Sequence, residues 1–173
     1  MIIKSVRGFK PMYGDDCFFA ENSVLIGDVI MGNNCSIWYS AVLRGDVNSI
    51  KIGDRVNIQD GAVIHGTYLK AKTEIGNDVS IGHNAIVHGC KIENSVLIGM
   101  GSIVMDNSII ESNSIVAAGS VVLENTHIKA GSIFAGIPAK KIKHISDELK
   151  KNEIERIASS YIKYSNWYKD FTK

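Results

Sequence analysis

From Ile92 onward an aliphatic or aromatic residue occupies every sixth position without a break: Ile92, Ile98, Val104, Ile110, Val116, Val122, Ile128 and Phe134. A short side chain follows four residues after most of these anchors, at Val96, Ser102, Ser108, Ser114, Ser120, Thr126 and Ser132. Upstream the period returns in three registers, Met31/Ile37/Leu43, Ile52/Ile58/Ile64 and Ile75/Ile81/Val87. Extra residues near "DVNSI" and "TYLKAK" separate them, and one residue is missing after Val87. A period of six belongs neither to a helix nor to an alternating strand. It suits a coil of three short strands, each with one inward anchor and a turn before the next. The recurring "IG", "GN" and "GS" pairs supply the turns. The pattern therefore predicts an all-β solenoid.

After "AGIPAKKIK" the grammar changes. Ser146 is placed to cap a helix, acidic residues fill the first turn, and Leu149, Ile154, Ile157, Tyr161 and Ile162 recur at near-helical spacing. The chain thus divides into a β-helix domain over 1–140, with a short N-terminal segment, and a C-terminal α-helix over 141–173 that packs along it.

Composition narrows the function classes. With 173 residues and 45% hydrophobic content, the chain is long enough for one domain with a sizeable core. Its 19 basic and 18 acidic side chains leave a net charge of +1, with no basic block interleaved with aromatics. Nucleic acid and anionic membrane are poor partners for such a surface. No apolar run is long enough to span a bilayer, and a cytoplasmic protein is expected. Cys17, Cys35 and Cys90 are odd in number and lack CxxC spacing, so reduced thiols are expected rather than a disulfide framework or a cysteine zinc site.

The candidate chemistry lies in the histidines. His83 and His88 are five residues apart, a spacing that separates them around a helix and puts them on opposite faces of a strand. Counting positions in the coil gives a different answer. His65 follows the anchor Ile64, and His88 follows Val87, the anchor of the same face one coil later. The two therefore stack in one column, about 4.8 Å apart, and can share a metal. His83 lies two residues after Ile81, around the corner of the prism, and fits a site completed by a neighbouring copy in a threefold ring. Arg44 falls in the His65/His88 column one coil earlier, and Asp60, next to Gln59, in the His83 column one coil earlier. Three neutral imidazoles leave coordination positions open, as catalytic zinc sites do, although the ligand type also suits iron, cobalt or nickel.

The repeat resembles the hexapeptide-repeat, left-handed parallel β-helix superfamily over roughly Ala20 to Phe134, a scaffold shared by acyltransferases, nucleotidyltransferases and metalloenzymes. "IWYSAVLRGD" (37–46), "NIQDGAVIHG" (57–66) and "SIGHNAIVHGC" (80–90) resemble, in order and spacing, the gamma-class carbonic anhydrase family. That resemblance implies a homotrimer with zinc-type ligation by His65, His83 and His88, the second contributed in trans, and Zn2+, Fe2+ or Co2+ as the metal. It implies an intersubunit salt bridge for Arg44 and Asp46, and positions near the bound water and the interface for Gln59 and Asp60. Asn57 matches a family residue as well. The implied reaction is reversible hydration of carbon dioxide to bicarbonate, driven by a water whose pKa the metal lowers to about 7.

The chain departs from the family in having Val47 where an acidic residue assists proton export, and a short basic insertion, "GTYLKAKT", where others carry an acidic loop. A hexapeptide acyltransferase, a metal-dependent thioester hydrolase and a non-catalytic trimeric scaffold are the alternatives. Of the remaining groups, His127 and His144 are expected to be surface residues, Cys90 to be packed, and Trp38 and Tyr39 to serve an interface.

Overall fold

The six-residue anchors all turn into one continuous core. Leu43, Ile58, Ile64, Ile81, Val87, Ile98, Val104, Ile110, Val116 and Ile128 are fully buried and belong to a single apolar cluster that runs the length of the molecule. Each such side chain contributes about 1.5–3 kcal/mol by leaving water. The serines four residues on are buried too, and several of their hydroxyls find backbone partners: Ser108 donates to the Met105 carbonyl at 2.7 Å and Ser102 to that of Ala117 at 2.9 Å, whereas the buried Ser132 hydroxyl has none among the described residues. Turns between rungs place Asn34, Asn84, Asn107, Asn113 and Asn125 at positive φ, a conformation that asparagine tolerates better than most residues.

The structure, a computed structural model describing residues 1–170, is a parallel β-solenoid of about seven turns with a C-terminal helix. Its three walls differ in the residue that points outward just before each anchor. On the first wall that column reads Ile30, Lys51, Glu74, Lys91, Ile109, His127. On the second it reads Phe18, Ser36, Asn57, Ser80, Leu97, Ile115, Ile133. On the third it is aliphatic throughout: Ile2, Val24, Val42, Val63, Ile86, Ile103, Val121.

The first and third walls form one folded sheet, because the strands Val24–Met31 and Val42–Ile52 run through the corner without a break. Gly27 and Gly45 make that corner possible: a Cβ on Gly27 would lie 2.4 Å from the Gly45 carbonyl oxygen. The second wall is a separate sheet, closed at its C-terminal end by the strand Lys140–His144, which pairs antiparallel with Ser132–Ala135 and is exposed along its whole length. This strand reaches four residues past position 140, so the tail proper starts at the Ser146 cap.

Ser146 accepts a hydrogen bond from the Leu149 amide at 3.2 Å. The tail is not one regular helix. A π-helical stretch, Lys150–Glu155, precedes the α-helix Arg156–Asp170, and it takes up the five-residue gap that separates Leu149 from Ile154. Ile154 and Ala158 are consequently buried against the solenoid. Trp38 packs on Tyr161 and Tyr168 with ring centroids 5.3 and 5.4 Å apart, and Phe18 lies 5.3 Å from Tyr168. Trp38 therefore docks the chain's own tail. No helix is long and apolar enough to cross a membrane among the described residues.

Candidate metal centre

Column counting is borne out by the strand register: His65 and His88 are direct partners on adjacent rungs of the third wall. Their rings lie 5.2 Å apart, and His65 Nδ1 faces His88 Nε2 at 3.1 Å. Two ligands of a tetrahedral ion with bonds of 2.0–2.1 Å lie about 3.3 Å from each other, so this pair fits a shared cation with little movement. The outer nitrogen of each ring meets a carboxylate. His65 Nε2 is 3.1 Å from Asp46 Oδ1, and His88 Nδ1 is 2.5 Å from Asp106 Oδ1. Carboxylates so placed fix the tautomer and ring angle of a metal-ligating imidazole.

His83 stands apart from this pair, around the corner as the coil count requires. Its Nδ1 is 2.8 Å from Asp60 Oδ2, the residue one rung earlier in its column. Its Nε2 lies 3.4 Å from the Tyr161 hydroxyl of the tail. Among the described residues of one chain, no group of three or more His, Cys, Asp or Glu side chains comes together as a metal site. Arg44 and Asp46 pair within the chain at 2.6 Å, so Asp46 holds the arginine and His65 at once. Gln59 is buried beside the second wall, where its amide donates to Asn57 Oδ1 at 2.9 Å while Asn57 donates to Ser80 Oγ at 2.7 Å. Asn57 thus orients Gln59.

The local electrostatics favour a neutral His65. Burial, the largest influence, pushes His65 below the usual imidazole value, and Asp46 opposes it only in part. Burial would raise Asp46, but hydrogen bonds from Arg44 and His65 outweigh it and hold the carboxyl below its ordinary range. Asp106 behaves likewise, with Thr67 and His88 outweighing burial. Tyr161 is pushed up to about 12, chiefly by burial and then by the charge of Asp60.

Asp106 and Thr67 are the site residues that the sequence reading missed. Asp106 reads as an ordinary turn acid in "MDNS", yet its side chain is buried and reaches back one rung to His88. Gly89 leaves room for it: a Cβ there would lie 2.4 Å from Asp106 Oδ1. Thr67, inside the short basic insertion, donates to Asp106 Oδ2 at 2.5 Å. The glycine one position after His88 was the available signal. His127 pairs with Glu111 at 2.6 Å on the surface, and His144 is exposed beside Lys141, so both lie outside the site. Cys90 is packed, and burial pushes its thiol up to about 12.

Comparison with known proteins agrees with this architecture. The bacterial transferase hexapeptide family (six repeats) matches residues 89–124. The chain is 38% identical over 175 residues to protein YrdA of Escherichia coli K12, covering 98% of this chain and 95% of that one. It is 37% identical over 168 residues to a carbonic anhydrase of Geobacillus kaustophilus, covering 97% of this chain and 91% of that one. A crystal structure from Bacillus cereus, provisionally described as an acetyltransferase, superposes with a TM-score of 0.95 at 36% identity, covering 98% of both chains.

Proposed function

The chain belongs to the gamma carbonic anhydrase-like family of hexapeptide-repeat proteins, and on that premise we propose that it is a metal-dependent enzyme of reversible carbon dioxide hydration, with its centre shared between copies of a homotrimer. One observation carries the reading. Each of His65, His83 and His88 has one ring nitrogen on a carboxylate, which leaves the other to serve as a ligand, yet a single chain gathers only two of those second nitrogens, His65 Nδ1 and His88 Nε2, while that of His83 meets the Tyr161 hydroxyl. A second copy that seats its His83 against the third wall completes the set.

Two features of the chain favour that join. The aliphatic column of the third wall flanks His65 and His88 and leaves Val63, Ile86 and Ile103 between 36% and 38% exposed, an apolar strip suited to burial against protein. Arg44 lies one rung before His65 and Asp60 one rung before His83. Bringing the three histidines together therefore brings opposite charges into register.

His65, His83 and His88 would hold a divalent cation there, and its chemistry would be to acidify a water as the nucleophile for carbon dioxide. The chain's own groups do the rest. Asp46 and Asp106 hold His65 and His88 at fixed angles, and Asp60 does the same for His83. Gln59, with its amide fixed by Asn57, offers a hydrogen bond that orients a small oxygen ligand. Val47 carries no proton, so protons leave the site through solvent and buffer, and turnover rises with buffer concentration.

The test is complementation. His83→Ala and His88→Ala each remove metal and activity alone; refolded together as an equimolar mixture, they regain about a quarter of the sites, because every mixed ring holds one intact centre in three. A site built within one chain predicts no recovery at all.

A recess of about 350 Å3 beside His83, lined by Leu97, Met100, Ile115, Ile157 and Tyr161, favours a second reading. Carbon dioxide fills a small fraction of it. A thioester with a short apolar acyl group fits better, and the same activated water would hydrolyse it. Leu97→Trp separates the two activities: it blocks thioester hydrolysis and spares carbon dioxide hydration.

A further inference from the structure

Cys17 and Cys35 stand eighteen residues apart, one full turn of the coil. Phe18 and Ser36, their immediate neighbours, are direct partners in the parallel ladder, and the Phe18 amide donates to the Cys35 carbonyl at 2.8 Å. The two cysteines thus occupy one column on successive rungs. Strands in such a ladder lie about 4.8 Å apart, inside the Cα separation of roughly 4.4–6.8 Å that a disulfide spans without backbone movement.

We propose that Cys17 and Cys35 form a peroxide-oxidisable dithiol, a modification site at the N-terminal end of the solenoid that closes as an inter-rung disulfide. The two thiols have different environments. Cys17 is half-buried, and its sulfur lies 3.3 Å from the Gly32 carbonyl; Cys35 is buried, with its sulfur 3.2 Å from the Gly53 carbonyl. The neighbouring Cys35 thiol is the largest influence holding Cys17 down, and Lys169, whose ammonium donates to the Asp16 carbonyl at 2.7 Å, adds to it. Contact with Cys17 and burial raise Cys35. An accessible thiol that ionises first, backed by a buried protonated partner, is the arrangement of a sensing and a resolving cysteine.

The step balances with hydrogen peroxide as oxidant. The Cys17 thiolate attacks one peroxide oxygen; the S–O bond forms, the O–O bond breaks, and the leaving hydroxide takes a proton from solvent. Cys35 sulfur then attacks Cys17 sulfur, forming S–S as S–O breaks, and the departing hydroxide leaves with the Cys35 proton as water. Two thiols lose two electrons in total, and peroxide becomes two waters.

Purified protein treated with hydrogen peroxide is read by intact mass and by non-reducing peptide mapping. The expected result is the loss of two hydrogens per chain, located between the peptides carrying Cys17 and Cys35 and reversed by dithiothreitol, with Cys90 still free. Cys17→Ser abolishes the loss. Cys35→Ser instead leaves Cys17 as a sulfenic acid that dimedone traps. Peroxide that leaves Cys17 fully open to alkylation, or that drives it to sulfinic acid in the unaltered chain without any cross-link, overturns the proposal.

Discussion

The first and third walls of the solenoid share a folded sheet, a repeat and a core, and differ in what they turn toward the outside. On the first wall the outward column alternates in charge, with Lys51, Glu74 and Lys91 on successive rungs and ion pairs such as Lys72 with Glu74 at 2.7 Å. On the third, seven aliphatic side chains stand in line beside His65 and His88. Inward anchors on both walls are equally buried. The inward residues therefore dictate the fold and the outward ones dictate what the fold is for. One wall turns charge to the solvent, whereas the other leaves an apolar strip exposed, the surface on which the proposed trimer depends.

The contrast is broken most directly by a charge on the aliphatic wall. Ile86→Glu would bury an unpaired carboxylate in the seam, at a cost of several kcal/mol per join. Size-exclusion chromatography with light scattering should show three-chain assemblies falling to single chains, with loss of bound metal. Lys91→Glu, at the equivalent place on the first wall, should leave both unchanged. If Ile86→Glu assembles as the parent does, the third wall is not the contact surface.

A smaller effect sharpens the same contrast within the third wall. Asp106→Asn should lower metal affinity about 10- to 100-fold, read by chelator competition, while assembly persists. Gly89→Ala should behave alike, since its Cβ intrudes on the carboxylate. Gly101 also has positive φ, at 66°, but its Cβ would meet open space. Gly101→Ala should therefore cost about 1 kcal/mol in stability and nothing in metal affinity. Tight metal binding by Gly89→Ala would remove Asp106 from the site.

The mildest test concerns Glu111 on the first wall. The Ala130 amide, first, and then Lys129 and His127 hold its carboxyl down at about 2, from an ordinary 4.5. Its favourable contribution is thus present above the ordinary value and is lost as pH falls through about 2. In an NMR titration, Lys129→Met should raise that midpoint yet leave it depressed, because the Ala130 hydrogen bond remains. A return to the ordinary value would make the lysine, rather than the backbone, the controlling partner.

Much of this was legible in the chain because parallel in-register stacking converts sequence arithmetic into distance. Counting from Ile64 and Val87 suffices to set His65 on His88, and counting from Ile58 and Ile81 to set Asp60 beside His83. The same arithmetic fails wherever a side chain reaches between rungs. Asp106 is out of column with His88, and only the missing Cβ of Gly89 lets it approach, so no periodicity marks it. Thr67 sits in an insertion that interrupts the period. Trp38 reads as an aromatic on an outer face; whether it serves a neighbour or the chain's own tail depends on where that tail lies, which the repeat does not encode. The π-helical stretch was foreshadowed only by an irregular gap between Leu149 and Ile154.

The antiparallel strand Lys140–His144 has a consequence for growth. A stack of parallel rungs is open-ended, and its last ladder could template another molecule end to end, as fibrils do. Reversing the final strand and loading it with Lys140, Lys141, Lys143 and His144 presents an unmatched, positively charged terminus. Such a terminus offers no matching edge to a further parallel rung, which disfavours lengthwise polymerisation from that end.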